Sequence, residues 1–195
     1  MDRPFKIAAI SFLANAAFSI YYVVFGVTTN SWWLLTLASY YVILSVVRFI
    51  VLTVKSEKSS LSKFVGWALT ILTIPLIGTV ILSVVRDRGI EFHMIVMIAI
   101  AAYAFTKITI AAYNLIKSRR SKSVRVKALR NISFADGLVS IFALQRSMLV
   151  SFEGMSEVEI IIMNAVLGTA VCVTVFLLGF NLIKNKKDKA FIEVE

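Results

Sequence analysis

The chain is poor in the residues that most protein chemistry uses. One cysteine, Cys172, excludes a disulfide framework, and one histidine, His93, excludes most metal clusters. Two prolines and eight glycines among 195 residues exclude a collagenous or low-complexity chain. Charge is scarce as well: 16% of residues are charged, against roughly 25% in a soluble domain. Acidic residues are scarcest, 11 against 21 Lys and Arg, for a net charge of +10. A Gly-rich phosphate loop, a selectivity filter and a run of arginines at every third position are all missing. Their absence argues against nucleotide chemistry, a potassium channel and a voltage sensor. No motif calls for a cofactor, and the expectation is a protein that is not an enzyme.

What fills the chain is hydrocarbon. Hydrophobic residues make up 59% of it, and the mean hydropathy is +0.86. The excess falls into six blocks, approximately Ile7–Val27, Trp32–Val54, Phe64–Val85, Phe92–Ile116, Asn131–Phe152 and Ile160–Ile183. Each reaches the length of about 20 residues that a helix needs to cross a hydrocarbon core about 30 Å thick. The blocks are continuously apolar, whereas strands of a membrane barrel alternate, so helices are expected. The predicted fold is all-α: one polytopic transmembrane helical bundle over residues 1–195 with six spans.

Basic residues orient the bundle. Sixteen Lys and Arg fall on one side, in the N-terminus, the loop with Lys55, Lys58 and Lys63, the segment Lys117–Arg130 and the tail. Only Arg86 and Arg88 fall on the other, beside Asp87, Glu91, Glu153, Glu157 and Glu159. The positive-inside rule then places both termini in the cytoplasm and Trp32 and Trp33 at the outer interface, in a cell membrane. This asymmetry accounts for the net charge without nucleic acid. Lys117–Arg130, with seven basic and no acidic residues, reads as part of that asymmetry or as a docking patch for anionic lipid or an acidic protein. At the N-terminus, Ala14-Asn15-Ala16 fits a signal-peptide cleavage site, but the apolar run continues through Val27 and completes a span.

Four charges fall inside the spans: Arg48, Lys107, Asp136 and Arg146. Each costs at least about 2.5–3.5 kcal/mol near the membrane centre, which marks each as a functional candidate. Counted at 1.5 Å per residue from the inner edge, Asp136 lies about 9 Å deep, Arg48 about 10 Å and Lys107 about 15 Å. Arg48 and Arg146 are near enough to headgroups to snorkel, whereas Lys107 is closest to mid-membrane and snorkels worst. Helical periodicity groups Tyr103 with Lys107, Ala111 and Asn114, and Asp136 with Ser133, Ser140, Ala143, Ser147 and Ser151. It likewise groups Tyr41 with Ser45 and Arg48, and Asn15 with Ser11 and Tyr22. Such stripes face the bundle interior, either as packing seams or as the wall of a site.

Asp136 is expected to pair with Arg48 or Lys107, which leaves a surplus of positive charge that a small anion would neutralise. The candidate ligand-binding residues are therefore Lys107, Arg48, Asp136, Asn15 and Tyr103, around a vestibule that faces inward. Cys172, among Val171, Val173 and Val175, reads as a packing residue, and His93 beside Glu91 as an interfacial one. Asp136-Gly137 is similar to the start of the motif in membrane CDP-alcohol phosphotransferases, but the later aspartates of that motif are missing.

Size, six spans and cytoplasmic termini resemble the substrate-binding subunits of energy-coupling-factor vitamin transporters. Ala8, Ala9, Ala14, Ala16 and Ala17 would suit the small-residue face by which those subunits meet their coupling protein. The chain departs from them at Thr28–Ser31, where they carry a long loop. Trp32-Trp33, Tyr40-Tyr41 with Arg48, and Ala101-Ala102-Tyr103 also resemble a group of small six-span bacterial membrane proteins, which implies a bacterial plasma membrane. Three functions follow: a small-solute transporter or its solute-binding subunit, a non-catalytic membrane partner or regulator that forms homo- or hetero-oligomers, and a membrane-embedded enzyme built on Asp136 and Lys107.

Overall fold

The computed structural model describes residues 3–54, 59–85, 94–118, 123–151 and 155–184. They form six helices: α1 (Arg3–Thr28), α2 (Trp32–Thr53), α3 (Ser59–Val85), α4 (Met94–Ser118), α5 (Val124–Ser151) and α6 (Glu157–Lys184). No strand occurs among the described residues, as expected of an all-α chain. The connections that hold Glu91, His93 and the basic residues 119–122 lie outside the described residues, as do 55–58 and 185–195.

Successive helices run in opposite directions. Thr79 near the end of α3 donates a hydrogen bond to Thr36 near the start of α2, and Ser62 at the start of α3 donates to the Leu182 carbonyl at the end of α6. The α1–α2 turn is tight because α1 ends in a Schellman motif. The Ser31 amide bonds the Gly26 carbonyl at 2.9 Å, the Asn30 amide bonds the Val27 carbonyl at 3.3 Å, and Asn30 takes φ 54°. Asparagine tolerates this left-handed conformation better than most residues.

Residues 9–28, 32–53, 60–85 and 157–184 form four helices long and apolar enough to cross a membrane. The other two, α4 with 25 residues and α5 with 28, are as long but carry three of the four interior charges, Lys107, Asp136 and Arg146. The order of packing explains how α5 tolerates them: it packs against all five other helices, and none of the exposed large hydrophobic side chains lies on it. Those exposed side chains, Ile10, Ile74, Ile98, Ile110 and Val166 among them, lie instead on the helices that surround α5. α3 and α6 approach most closely at Gly66 and Gly179, where a Cβ on either glycine would stand 2.8 Å from the carbonyl oxygen of the other. This is the small-residue packing by which apolar helices associate when burial from water cannot drive them together.

Three helices begin a turn or more before the expected position, α1 by four residues, α3 by five and α5 by seven. α5 begins at Val124, seven residues before the predicted Asn131, because two basic residues of the presumed loop bond to backbone inside the bundle. The Arg125 Nη2 donates to the Val51 and Leu52 carbonyls at 3.3 and 2.9 Å, which the end of α2 leaves without helical partners. Arg130 does the same for the Asn114 carbonyl of α4 at 2.8 Å. Part of the predicted docking patch therefore closes helix ends.

Candidate buried charge cluster and cavity

Near the middle of the bundle, α1, α2, α4 and α5 send polar side chains to a common point. Asp136 of α5 is the hub. Its Oδ1 lies 2.7 Å from the Lys107 Nζ, and its Oδ2 lies 3.2 Å from the Arg48 Nη2 and accepts a 2.8 Å hydrogen bond from the Asn15 Nδ2. Lys107 also donates to the Asn15 Oδ1 at 3.3 Å and to the Ser140 Oγ at 3.0 Å. Tyr41 closes the network with a 3.3 Å contact to the Ser140 Oγ, and the Ser140 hydroxyl donates to the Asp136 carbonyl. Tyr41 and Tyr103 flank the Lys107 ammonium, their ring centres 5.7 and 5.6 Å from it, so each turns the negative face of its π-system toward the cation.

Local sequence makes the cluster feasible. Gly137 follows Asp136 and meets Ile108, the neighbour of Lys107; a Cβ there would stand 3.2 Å from the Ile108 Cα. The absent side chain lets α4 and α5 close to the distance that a lysine–aspartate bond needs. Asn15, on the polar stripe of α1, supplies both a donor and an acceptor, which is why one amide bridges the carboxylate and the ammonium.

The five sequence-predicted residues thus come together, with two corrections. Asp136 does not choose between Arg48 and Lys107 but pairs with both, and the group still carries two cations against one anion. Arg48 does not snorkel: it is 0% exposed, and its Nε and Nη1 have no hydrogen-bond partner among the described residues. Arg146 does not snorkel either. It is 2% exposed and stacks on Trp33, its guanidinium carbon 4.5 Å from the ring centre. Trp33 accordingly turns inward, 9% exposed, rather than joining Trp32 at the surface, because an arginine buried at this level needs a polarisable face to lie on.

Beside the cluster lies a cavity of about 450 Å³ between α1, α2, α4 and α5, within the range of about 300–1,000 Å³ typical of small-molecule sites. Lys107 and Ser140 line its polar end and Arg146 and Ser147 line it further along α5, while Phe18, Tyr21, Tyr22, Trp33, Tyr41 and Tyr103 supply aromatic walls. Several of these rings touch in series: Tyr21 on Tyr22, Tyr22 on Tyr41, Phe18 on Tyr103. Of the predicted set only Lys107 and Tyr103 line this space; Asn15, Arg48 and Asp136 lie behind it. The cavity also extends toward Ser31 and Val150, at the end of the bundle opposite the first turn of α1, whereas the vestibule was expected to open on the side of the chain termini. Its aromatic walls were not legible beforehand, since Phe and Tyr in an apolar helix look alike whether they face lipid or a void.

Compared with protein-family models, with curated proteins and with solved structures, the chain matches none.

Proposed function

We propose that the chain is an integral membrane protein of six spans, with cytoplasmic termini, that binds a small anionic or zwitterionic solute in this cavity. It acts as a transporter or as a transporter's solute-binding subunit, without catalysis of its own. One observation carries the reading: the polar end of a ligand-sized cavity is Lys107, the accessible member of a cluster with two cations and one anion. Asp136, 1% exposed, is withdrawn behind it, so an occupant meets the positive side of the cluster. Low-dielectric walls strengthen that field over its value in water. Six spans are supported by the apolar outward face of α4, with Ile98, Phe105 and Ile110 exposed, and by the sheath around α5, which spares its charges from lipid.

A second reading, a non-catalytic membrane partner, draws on the same cluster. Lys107 already gives hydrogen bonds to Asn15, Asp136 and Ser140, one for each proton of its ammonium. A group so satisfied serves as a structural tie between α1, α4 and α5. A thermal-shift screen against anionic and zwitterionic metabolites separates the two readings, with wild-type and Lys107→Leu protein side by side. A ligand at 100 times its Kd stabilises the native state by about 2.7 kcal/mol. A hit that needs Lys107 supports the solute site; a blank across the screen on folded protein removes it in favour of the partner.

A further inference from the structure

The cavity is walled on three sides and latched on the fourth. α1 packs on α2, α2 on α5 and α5 on α4, whereas α1 and α4 meet across the remaining side chiefly through side chains. Among the described residues, the contacts that bridge it include Phe18 on Tyr103, ring centres 5.5 Å apart, and Asn15 to Lys107. The residues at this seam face two ways. Tyr103 and Tyr21 line the cavity yet are 40% and 45% exposed, and Ala17 likewise lines it and is exposed. The outward surface beside them, Ile20 and Val24 on α1 and Ile110 on α4, is apolar, so what the seam faces is the hydrocarbon of a bilayer.

We infer that the α1–α4 seam is a lateral portal, and that the occupant is a membrane-soluble monoanion with a flat apolar body, of the class of hydrophobic aromatic acids, reaching Lys107 from within the bilayer. The inference rests on the solute-site reading above and names its ligand. Three features select this class. The charge surplus at Lys107 demands an anion and disfavours cations. Aromatic walls stack offset or edge-on with flat rings, a gain that a small hydrophilic solute does not collect. The volume of about 450 Å³ takes one drug-sized molecule but not a two-chain phospholipid. A lipid-dissolved ligand also needs no aqueous mouth, only the parting of the side-chain contacts across the seam.

The test uses the full chain in lipid nanodiscs with 1-pyrenebutyrate as probe and neutral 1-pyrenebutanol as its control. Saturable binding is read by pyrene anisotropy and association by stopped flow. The acid is expected to bind at least about tenfold tighter than the alcohol. Lys107→Leu should erase that preference, and Ala104→Trp, which projects bulk into the cavity from its lining, should abolish saturable binding. Thr106→Trp, at an exposed position one turn from Tyr103 and outside the cavity lining, should slow association and dissociation together about tenfold at unchanged Kd. Equal binding of acid and alcohol overturns the anion class, and an unchanged association rate in Thr106→Trp overturns the portal. If acetate or glycine binds in a Lys107-dependent way and the pyrene acid does not, this inference fails while the solute site stands. If nothing binds to folded protein, both fail.

Discussion

Gly137 and Ile108 bring α5 and α4 into backbone contact directly beside the Asp136–Lys107 ion pair. A β-carbon at 137 would meet the Ile108 Cδ1 at 2.8 Å, which can swing aside, and the Ile108 Cα at 3.2 Å, which cannot. Gly137→Val should therefore force the helices apart, weaken the pair and cost about 1–3 kcal/mol, the usual range for overpacking. Unfolding in mixed micelles reads the loss, and a variant as stable as wild type would mean that α4 is free to slide.

Charge bookkeeping predicts an unequal response among the cluster members. Asp136→Asn leaves Arg48 and Lys107 buried without an anion, whereas Lys107→Met leaves a balanced Arg48–Asp136 pair. Removing one partner of a buried pair costs about 3–5 kcal/mol when the other is stranded. Asp136→Asn should reach that range and Lys107→Met fall well below it. Equal losses would show that the surplus cation is neutralised by a group outside this cluster.

Glycines on α3 offer an internal control. A Cβ at Gly66 would stand 2.8 Å from the Gly179 carbonyl oxygen and 3.0 Å from the Ile183 amide, both backbone atoms, whereas one at Gly78 meets nothing within 4 Å. Gly66→Ala should destabilise by about 1–3 kcal/mol. Gly78→Ala should be neutral or stabilise by up to about 1 kcal/mol, the intrinsic helix preference of alanine. Loss of the contrast would place the α3–α6 crossing elsewhere.

Trp33 and Trp32 should likewise part company. Trp33→Leu removes the face on which Arg146 lies and should cost about 2 kcal/mol, the scale of a desolvated cation–π contact. Trp32, 57% exposed, should tolerate the same change within about 0.5 kcal/mol. Chemical denaturation of the two variants in parallel decides the matter.

Helical periodicity was enough to gather Asn15, Arg48, Lys107, Asp136 and Tyr103, because a charge in an apolar block has few places to go and the polar stripes point at one another. Block length likewise located all six helices to within a turn or two. The beginning of α5 was misplaced for a physical reason: a basic stretch reads as a loop, yet Arg125 and Arg130 find acceptors at the ends of α2 and α4, a tertiary fact without local signature. The burial of Trp33 and Arg146 escaped for the same cause, since interfacial preference is a prior about single residues and their pairing spans two helices. The cavity was invisible because a void leaves no trace in composition. Asn164, buried on α6 with its amide unpartnered among the described residues, shows the converse: nothing around it in sequence marks it out.

The separations within the cluster also set an order of events during synthesis. Lys107 and Asp136 are 29 residues apart on neighbouring helices, and under the six-span proposal these would enter the membrane as a hairpin whose charges already cancel. Arg48 precedes Asp136 by 88 residues. At about 5–20 residues per second, a ribosome takes roughly 4–18 seconds to make that stretch. For that interval the nascent second helix carries an arginine whose counter-ion does not yet exist, so its hold on the bilayer is provisional until the fifth helix arrives.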